Sequence, residues 1–252
     1  MRAFFAPPIL ALQLLTAVPV PVSVPAEAAQ LGWSLAFFPA VGALLGLALA
    51  GLDRVLLGLL PPAVAAALLL AAGALLTGAL HLDGLMDTCD GVFGGRTRER
   101  RLEIMRDSRV GSFGALAGAL QLLVKYAALV SLPVGMRGAA LVLSLTLGRW
   151  AMAGATWGFP PARPDGLGAA FRAGASAPPV VVATASAAAV AWLAAGGAGL
   201  ALLGGAAALA LAGAAFLSRR LGGLTGDCYG ALNEVVESGT LVALVALSAT
   251  AA

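Results

Sequence analysis

Three aspartates, Asp83, Asp87 and Asp90, stand at spacings i, i+4 and i+7. At about 100° per residue on a helix they form one narrow stripe. Like charges so spaced repel, and each costs several kcal/mol if it sits within a membrane, so a cation should compensate them. Mg²⁺ suits the set, because it takes one or two carboxylates and completes its octahedron with water and substrate phosphate. A solvated helix end is the plainer account of an acidic triplet. Against it, this triplet closes the 26-residue uncharged stretch Val55–Leu80 and is flanked by Gly84, Gly91, Gly94 and Gly95.

Six arginines follow at once, between Arg96 and Arg109. Guanidinium forks match phosphate oxygens bidentately. Carboxylates that hold a metal beside arginines that hold phosphate are the parts a phosphoryl transfer needs. Arg98, Arg100 and Arg101 are accounted for by the membrane-protein preference for basic loops on one side. Arg106 and Arg109 flank Asp107 and Ser108 and lead into the turn 110–114. These four are the candidates for substrate contact.

A second polar island spans 222–237. Asp227 and Glu234, seven apart on one helix face, are candidates for completing the metal site or accepting a proton. A helix-start cap at Thr225 or Asp227 is the competing account. His81, the only histidine, admits a core or capping role as well as substrate binding. Lys125 and Arg149 are isolated charges in apolar stretches. Lys125 can snorkel to an interface, and Arg149 is a candidate for an anionic ligand. Cys89 and Cys228 read as packing residues.

The elements that position these groups are membrane helices. Of 252 residues, 60% are hydrophobic and 11% charged, with a net charge of +3; the mean hydropathy is +0.96. That composition excludes an ordinary soluble domain or a disordered chain. No basic stripe interleaves with aromatics, so no nucleic-acid partner is expected. The uncharged stretch Ala173–Ser218 alone is 46 residues long, and about 20 apolar residues cross a bilayer. The expected fold is a single all-α membrane domain over 1–252, a polytopic bundle of about six to eight membrane segments. Spans are predicted near 34–52, 55–80, 110–133, 137–158, 179–197 and 200–218, with a shorter one near 239–252. Gly196-Gly197 divides the long apolar run. Five prolines in the first 25 residues predict an interfacial or re-entrant N-terminal piece. Gly42-x3-Gly46 and Gly114-x3-Gly118 predict close helix packing. Eleven basic residues then fall on one side of the membrane and two on the other, which puts 81–109 in the cytoplasm.

The two islands together resemble the cobalamin synthase family, also called adenosylcobinamide-GDP ribazoletransferases. The resemblance rests on the run 77–91 (Thr-Gly-Ala-Leu-His-Leu-Asp-Gly-Leu-Met-Asp-Thr-Cys-Asp-Gly), on 104–114 (Ile-Met-Arg-Asp-Ser-Arg-Val-Gly-Ser-Phe-Gly) and on 223–227 (Gly-Leu-Thr-Gly-Asp). Two early stretches, 15–21 and 38–42, look like the family's N-terminal signatures. Met86, Cys89 and Cys228 are small departures. The resemblance implies a bacterial inner-membrane enzyme with its active site facing the cytoplasm. It would join adenosylcobinamide-GDP to α-ribazole, or to its 5′-phosphate, and release GMP with Mg²⁺. Asp83, Asp87 and Asp90 would hold the metal, Arg106 and Arg109 the phosphates, and Asp227 or Glu234 would complete the site. Its small-molecule substrates and membrane lipid are the partners implied. A CDP-alcohol phosphotransferase shares the logic of Asp87-x2-Asp90-Gly91 and Arg96, but its later paired aspartates have no counterpart here. A transporter would place its charges near the midplane, whereas these cluster at one interface.

Overall fold

The computed structural model describes residues 2–250, with side chains from Phe5 onward, and its regular elements are helices. They are α1 (Arg2–Leu15), α2 (Ala28–Ser34), α3 (Phe38–Leu57), α4 (Pro62–Thr77), α5 (Leu80–Gly94), α6 (Arg98–Ile104), α7 (Ser112–Ser131), α8 (Val134–Gly158), α9 (Leu167–Gly174), α10 (Ala177–Leu221) and α11 (Gly226–Thr250). Five stretches are long and apolar enough to cross a membrane, and the bent pair α4–α5 makes a sixth. The expected all-helical membrane bundle is therefore found. Its N-terminal piece is a short helix that accommodates Pro7 and Pro8, followed by extended chain.

Several boundaries move for visible reasons. The first span begins at Ala28 and runs through a short 3-10 turn to Leu57. The second, expected over 55–80, starts only at Pro62, because Pro61-Pro62 cannot continue α3. It also breaks at its far end. Gly78 and Ala79 both take left-handed backbone conformations, with φ of 60° and 55°, and α5 leaves α4 at 89°. A left-handed alanine costs about 1–2 kcal/mol, so surrounding packing must hold this break. The last span is longer than expected: α11 runs unbroken from the second polar island to Thr250. Residues 251 and 252 of the predicted segment lie outside the described residues.

α10 spans 45 residues as two helices that meet at a kink, where Ala195 and Gly196 have non-helical dihedrals. A straight helix of that length, at about 1.5 Å per residue, would be over twice the ~30 Å hydrocarbon core. It folds back instead. A Cβ on Gly199 would collide with the Ala191 backbone, which requires the chain to double back sharply between these two residues. The division expected at Gly196-Gly197 is where the chain turns.

α8 is the central helix, packed against α3, α10 and α11, with Leu143 and Leu147 fully buried. Gly42 and Gly46 lie against the α8 backbone at Leu145 and Val142, so the predicted small-residue face is the α3–α8 contact. At one end of this contact Arg137 forms a buried bidentate pair with Asp53, at 2.6 and 2.9 Å. The opposite end gathers α6, the 159–166 loop and the 222–225 turn. There Arg98 donates to the carbonyls of Leu221 and Ala162, both at 2.8 Å, and Arg101 to those of Gly95 and Arg220. Arg98 and Arg101 thus tie loops together besides contributing charge. Arg2, counted with this basic end, lies outside the described side chains.

Candidate active site

The acidic stripe of α5 meets the second polar island because two glycines let α5 and α11 touch. A Cβ on Gly84 would sit 2.8 Å from the Asp227 carbonyl oxygen, and one on Gly230 would sit 3.1 Å from His81 Cα. The 159–166 loop closes over this junction through a parallel bridge, Leu224 N–H to Pro160 O at 2.9 Å and Ala162 N–H to Leu224 O at 2.8 Å. A cavity of about 280 Å³ results, with Asp83, Asp227, Arg163 and His81 in its wall. The rest of the wall is largely apolar, including Phe38, Met152, Phe171 and Tyr229.

Asp83 and Asp227 come from the two polar islands and are themselves more than half the sequence apart. Asp87 stands one turn beyond Asp83 and feels the charges of Asp83, Asp227 and Asp90, opposed by Arg163. Thr225 is the helix cap expected at this point: its Oγ1 accepts from Cys228 N–H at 3.3 Å and donates to Asp227 Oδ2 at 3.2 Å. With that role filled by Thr225, the Asp227 carboxylate belongs to the cavity wall.

Among the described residues no three His, Cys, Asp or Glu side chains converge as a self-sufficient metal site. Magnesium does not need one, since it binds through one or two carboxylates plus substrate phosphate. Adjacent carboxylates of Asp83, Asp87 and Asp227, with Arg163 opposing their charge among the described residues, are a donor set that fits such an ion.

Asp90 is placed otherwise. Its carboxylate accepts from Gly111 N–H at 2.7 Å and Gly114 N–H at 2.8 Å, so it caps the start of α7. The third member of the expected metal stripe is turned to a neighbouring helix.

Glu234 and Arg149 do not reach this cavity; they belong to a buried charge network two turns deeper. Lys125 Nζ lies 2.7 Å from Glu234 and 2.5 Å from Glu237. Arg149 pairs with Glu237, and its Nη2 lies 3.4 Å from His81 Nδ1. Asn233 donates to Glu237 at 2.9 Å, and Gln121 to Glu234 at 3.0 Å. Lys125 therefore does not snorkel, Arg149 already has its anion, and Glu234 is neutralised in place. Burying these charges is tolerable because each is paired.

Arg106 Nη2 contacts both oxygens of Asp165 at 2.9 Å, and Asp165 stands at the cavity wall. Asp107 accepts three bonds from Arg109 side-chain nitrogens at 2.6–3.2 Å and one from its backbone at 3.1 Å. Those bonds hold the Asp107 carboxyl at about 2, below its ordinary 3.8. Ser108 is exposed in the same turn. This segment forms the rim of the basic end. Arg163 and Asp165 were not singled out by the sequence reading. Their only signal is a short charged interruption, Arg163-Pro164-Asp165, between two apolar segments.

The cobalamin-5-phosphate synthase family matches residues 7–245. An adenosylcobinamide-GDP ribazoletransferase of Geotalea daltonii is 41% identical over 247 residues, covering 98% of each chain. The proteins of that name from Roseiflexus sp. and Pseudomonas savastanoi pv. phaseolicola are 40% and 39% identical. They cover 98% and 94% of this chain and 91% and 98% of their own lengths. No solved structure matches.

Proposed function

The chain belongs to the cobalamin-5-phosphate synthase family, and from that premise we propose how this geometry serves adenosylcobinamide-GDP ribazole transfer. The observation that carries the reading is the convergence of Asp83 and Asp227 with Arg163 on one cavity at the basic end. In the reaction a ribazole hydroxyl attacks the cobinamide-bearing phosphorus of the diphosphate. An O–P bond forms there, the bridging P–O bond breaks, and GMP leaves. Asp227 takes the hydroxyl proton on its carboxylate. Arg163, with Arg106 and Arg109 at the rim, neutralises phosphate charge.

Asp83 and Asp87 would hold Mg²⁺, which would supply neutralisation of the phosphate charge. Asp83 and Asp87 sit on α5 and Asp227 on α11, so little reorganisation of these carboxylates accompanies reaction. The basic loops surround this end of the bundle, which under the positive-inside rule faces the cytoplasm of a bacterial inner membrane. α-Ribazole and its 5′-phosphate both present the required hydroxyl.

The test is turnover by the purified protein in liposomes with adenosylcobinamide-GDP, α-ribazole and Mg²⁺, following GMP and the corrinoid product. Metal-dependent formation of both is expected, with Asp83→Asn and Asp87→Asn folded but inactive. Near-normal activity of both variants would overturn the metal assignment. CMP release from a CDP-alcohol in place of GMP release would overturn the reaction.

A further inference from the structure

Arg54 and Arg137 are the basic residues at the end of the bundle remote from the acidic cavity, and their surroundings differ. Arg137 is buried and holds both carboxylate oxygens of Asp53. Arg54, the next residue after Asp53, is exposed in the last turn of α3. Its guanidinium has no ion pair and no hydrogen bond among the described residues. Near the end of a membrane helix a long basic side chain reaches the lipid headgroups, and a guanidinium matches phosphate oxygens in pairs.

Arg54 also lines a cavity of about 840 Å³ between α3, α8 and the first part of α10. Leu47, Leu57, Val142, Val190 and Leu193 are in its wall. Leu193 is 83% exposed and Leu47 59%, so the wall continues into the lipid-facing surface of the bundle. Lipid tails are as apolar as these side chains, and apolar contact alone does not choose among lipids. The charge at the rim does. Asp53, the carboxylate in this wall, is already engaged by Arg137. A zwitterionic headgroup therefore finds a cation for its phosphate and no free anion for its ammonium. An anionic headgroup finds the cation it needs and nothing that opposes it.

We infer that this groove is a binding site for an anionic phospholipid of the leaflet opposite the active site, with its phosphodiester on Arg54 and its acyl chains along α3, α8 and α10. The inference is independent of the transferase reading. One arginine near the membrane surface corresponds to a preference for anionic lipid of about fivefold. The groove holds the chains of either lipid class, and Arg54 supplies the selectivity.

The experiment offers the full chain, in detergent micelles, equal amounts of phosphatidylglycerol and phosphatidylcholine with the same acyl chains. Native mass spectrometry reads the lipid that stays bound. The wild type should retain phosphatidylglycerol over phosphatidylcholine by about fivefold. Arg54→Gln should bring that ratio near unity, and Arg54→Lys should keep most of it. Gly51 is in the same wall, and a Cβ on it would meet nothing within 4 Å. Gly51→Leu should therefore fill the groove without disturbing the helices, and lower the retention of both lipids. Arg219→Gln removes an exposed charge at the opposite, basic end and should leave the ratio unchanged. Equal retention of the two lipids by the wild type overturns the proposal. So does a preference that survives Arg54→Gln and disappears in Arg219→Gln, which would put the anionic lipid at the basic end. Unchanged retention in Gly51→Leu would take the chains out of the groove and overturn it too. A dimer that Gly51→Leu dissolves would make the occupant a second copy of the chain, with the same consequence.

Discussion

Gly84 rests on the backbone of Asp227, close enough that a methyl group on Gly84 would lie 2.8 Å from the Asp227 carbonyl oxygen. This contact sets the separation of α5 and α11, and so of the Asp83 and Asp227 carboxylates. Gly84→Ala should force the helices apart while leaving every charged group in the chain. A misplacement of about 1 Å can cost about a hundredfold in rate. We expect Gly84→Ala to lose at least tenfold in kcat/KM and Gly84→Val more, with both proteins still inserted in membranes. Wild-type kinetics in Gly84→Val would show that the α5–α11 spacing does not set the reaction geometry.

Asp90 separates structure from chemistry on the same helix. Its carboxylate satisfies the Gly111 and Gly114 amides, and loss of a capping acceptor costs about 1 kcal/mol, up to about 2. Asp90→Ala should lower the melting temperature in detergent while keeping more turnover than Asp83→Asn. Asp90→Asn, which keeps an acceptor oxygen, should fall between Asp90→Ala and the wild type. Unchanged melting together with complete loss of turnover in Asp90→Ala would return Asp90 to the metal site.

These two residues also show what the sequence discloses. The helical membrane class follows from uncharged stretches longer than a bilayer requires, and the turn in α10 is visible as Gly196-Gly197. The acidic stripe is read correctly as one helix face, because spacing fixes angle. The partner of each carboxylate is not visible. Asp90 binds main-chain amides, which have no residue type to search for. Glu234 and Glu237 find Lys125 more than a hundred positions earlier in the chain, a pairing set by the register of α7 on α11. The break at Gly78-Ala79 lies within a continuous apolar run, and alanine rarely signals a left-handed turn. Arg163 reaches the cavity only because the loop carrying it is bridged to Leu224.

At the rim, Asp107 and Arg109 give a prediction about pH. Asp107 has its carboxyl lowered by the Arg109 bonds, so the pair's contribution is fully present above the ordinary carboxylate value. It is lost only as pH falls from about 3.8 towards about 2. Between pH 5 and 9 this pair should not titrate. Arg109→Gln should therefore raise KM for adenosylcobinamide-GDP several-fold by an amount constant over that range, with kcat little changed. A ratio of variant to wild-type KM that drifts between pH 5 and 9 would contradict the assignment.

The Asp53–Arg137 pair tests stability at the end of the bundle remote from the cavity. Both side chains are buried, and Arg137 also donates to the Leu129 carbonyl at 3.1 Å. Removing one partner leaves the other charge uncompensated, which costs about 3–5 kcal/mol, whereas replacing both with apolar residues of similar volume is often nearly neutral. Asp53→Leu alone should sharply lower resistance to thermal unfolding in detergent, and the double variant Asp53→Leu/Arg137→Leu should recover most of the loss. The coupling follows from the double-mutant cycle. Turnover per folded molecule should stay near the wild-type value in the double variant, because the pair joins α3 to α8 far from Asp83 and Asp227. Additive losses in the cycle would mean that the two residues stabilise the bundle independently and that their bidentate contact contributes little.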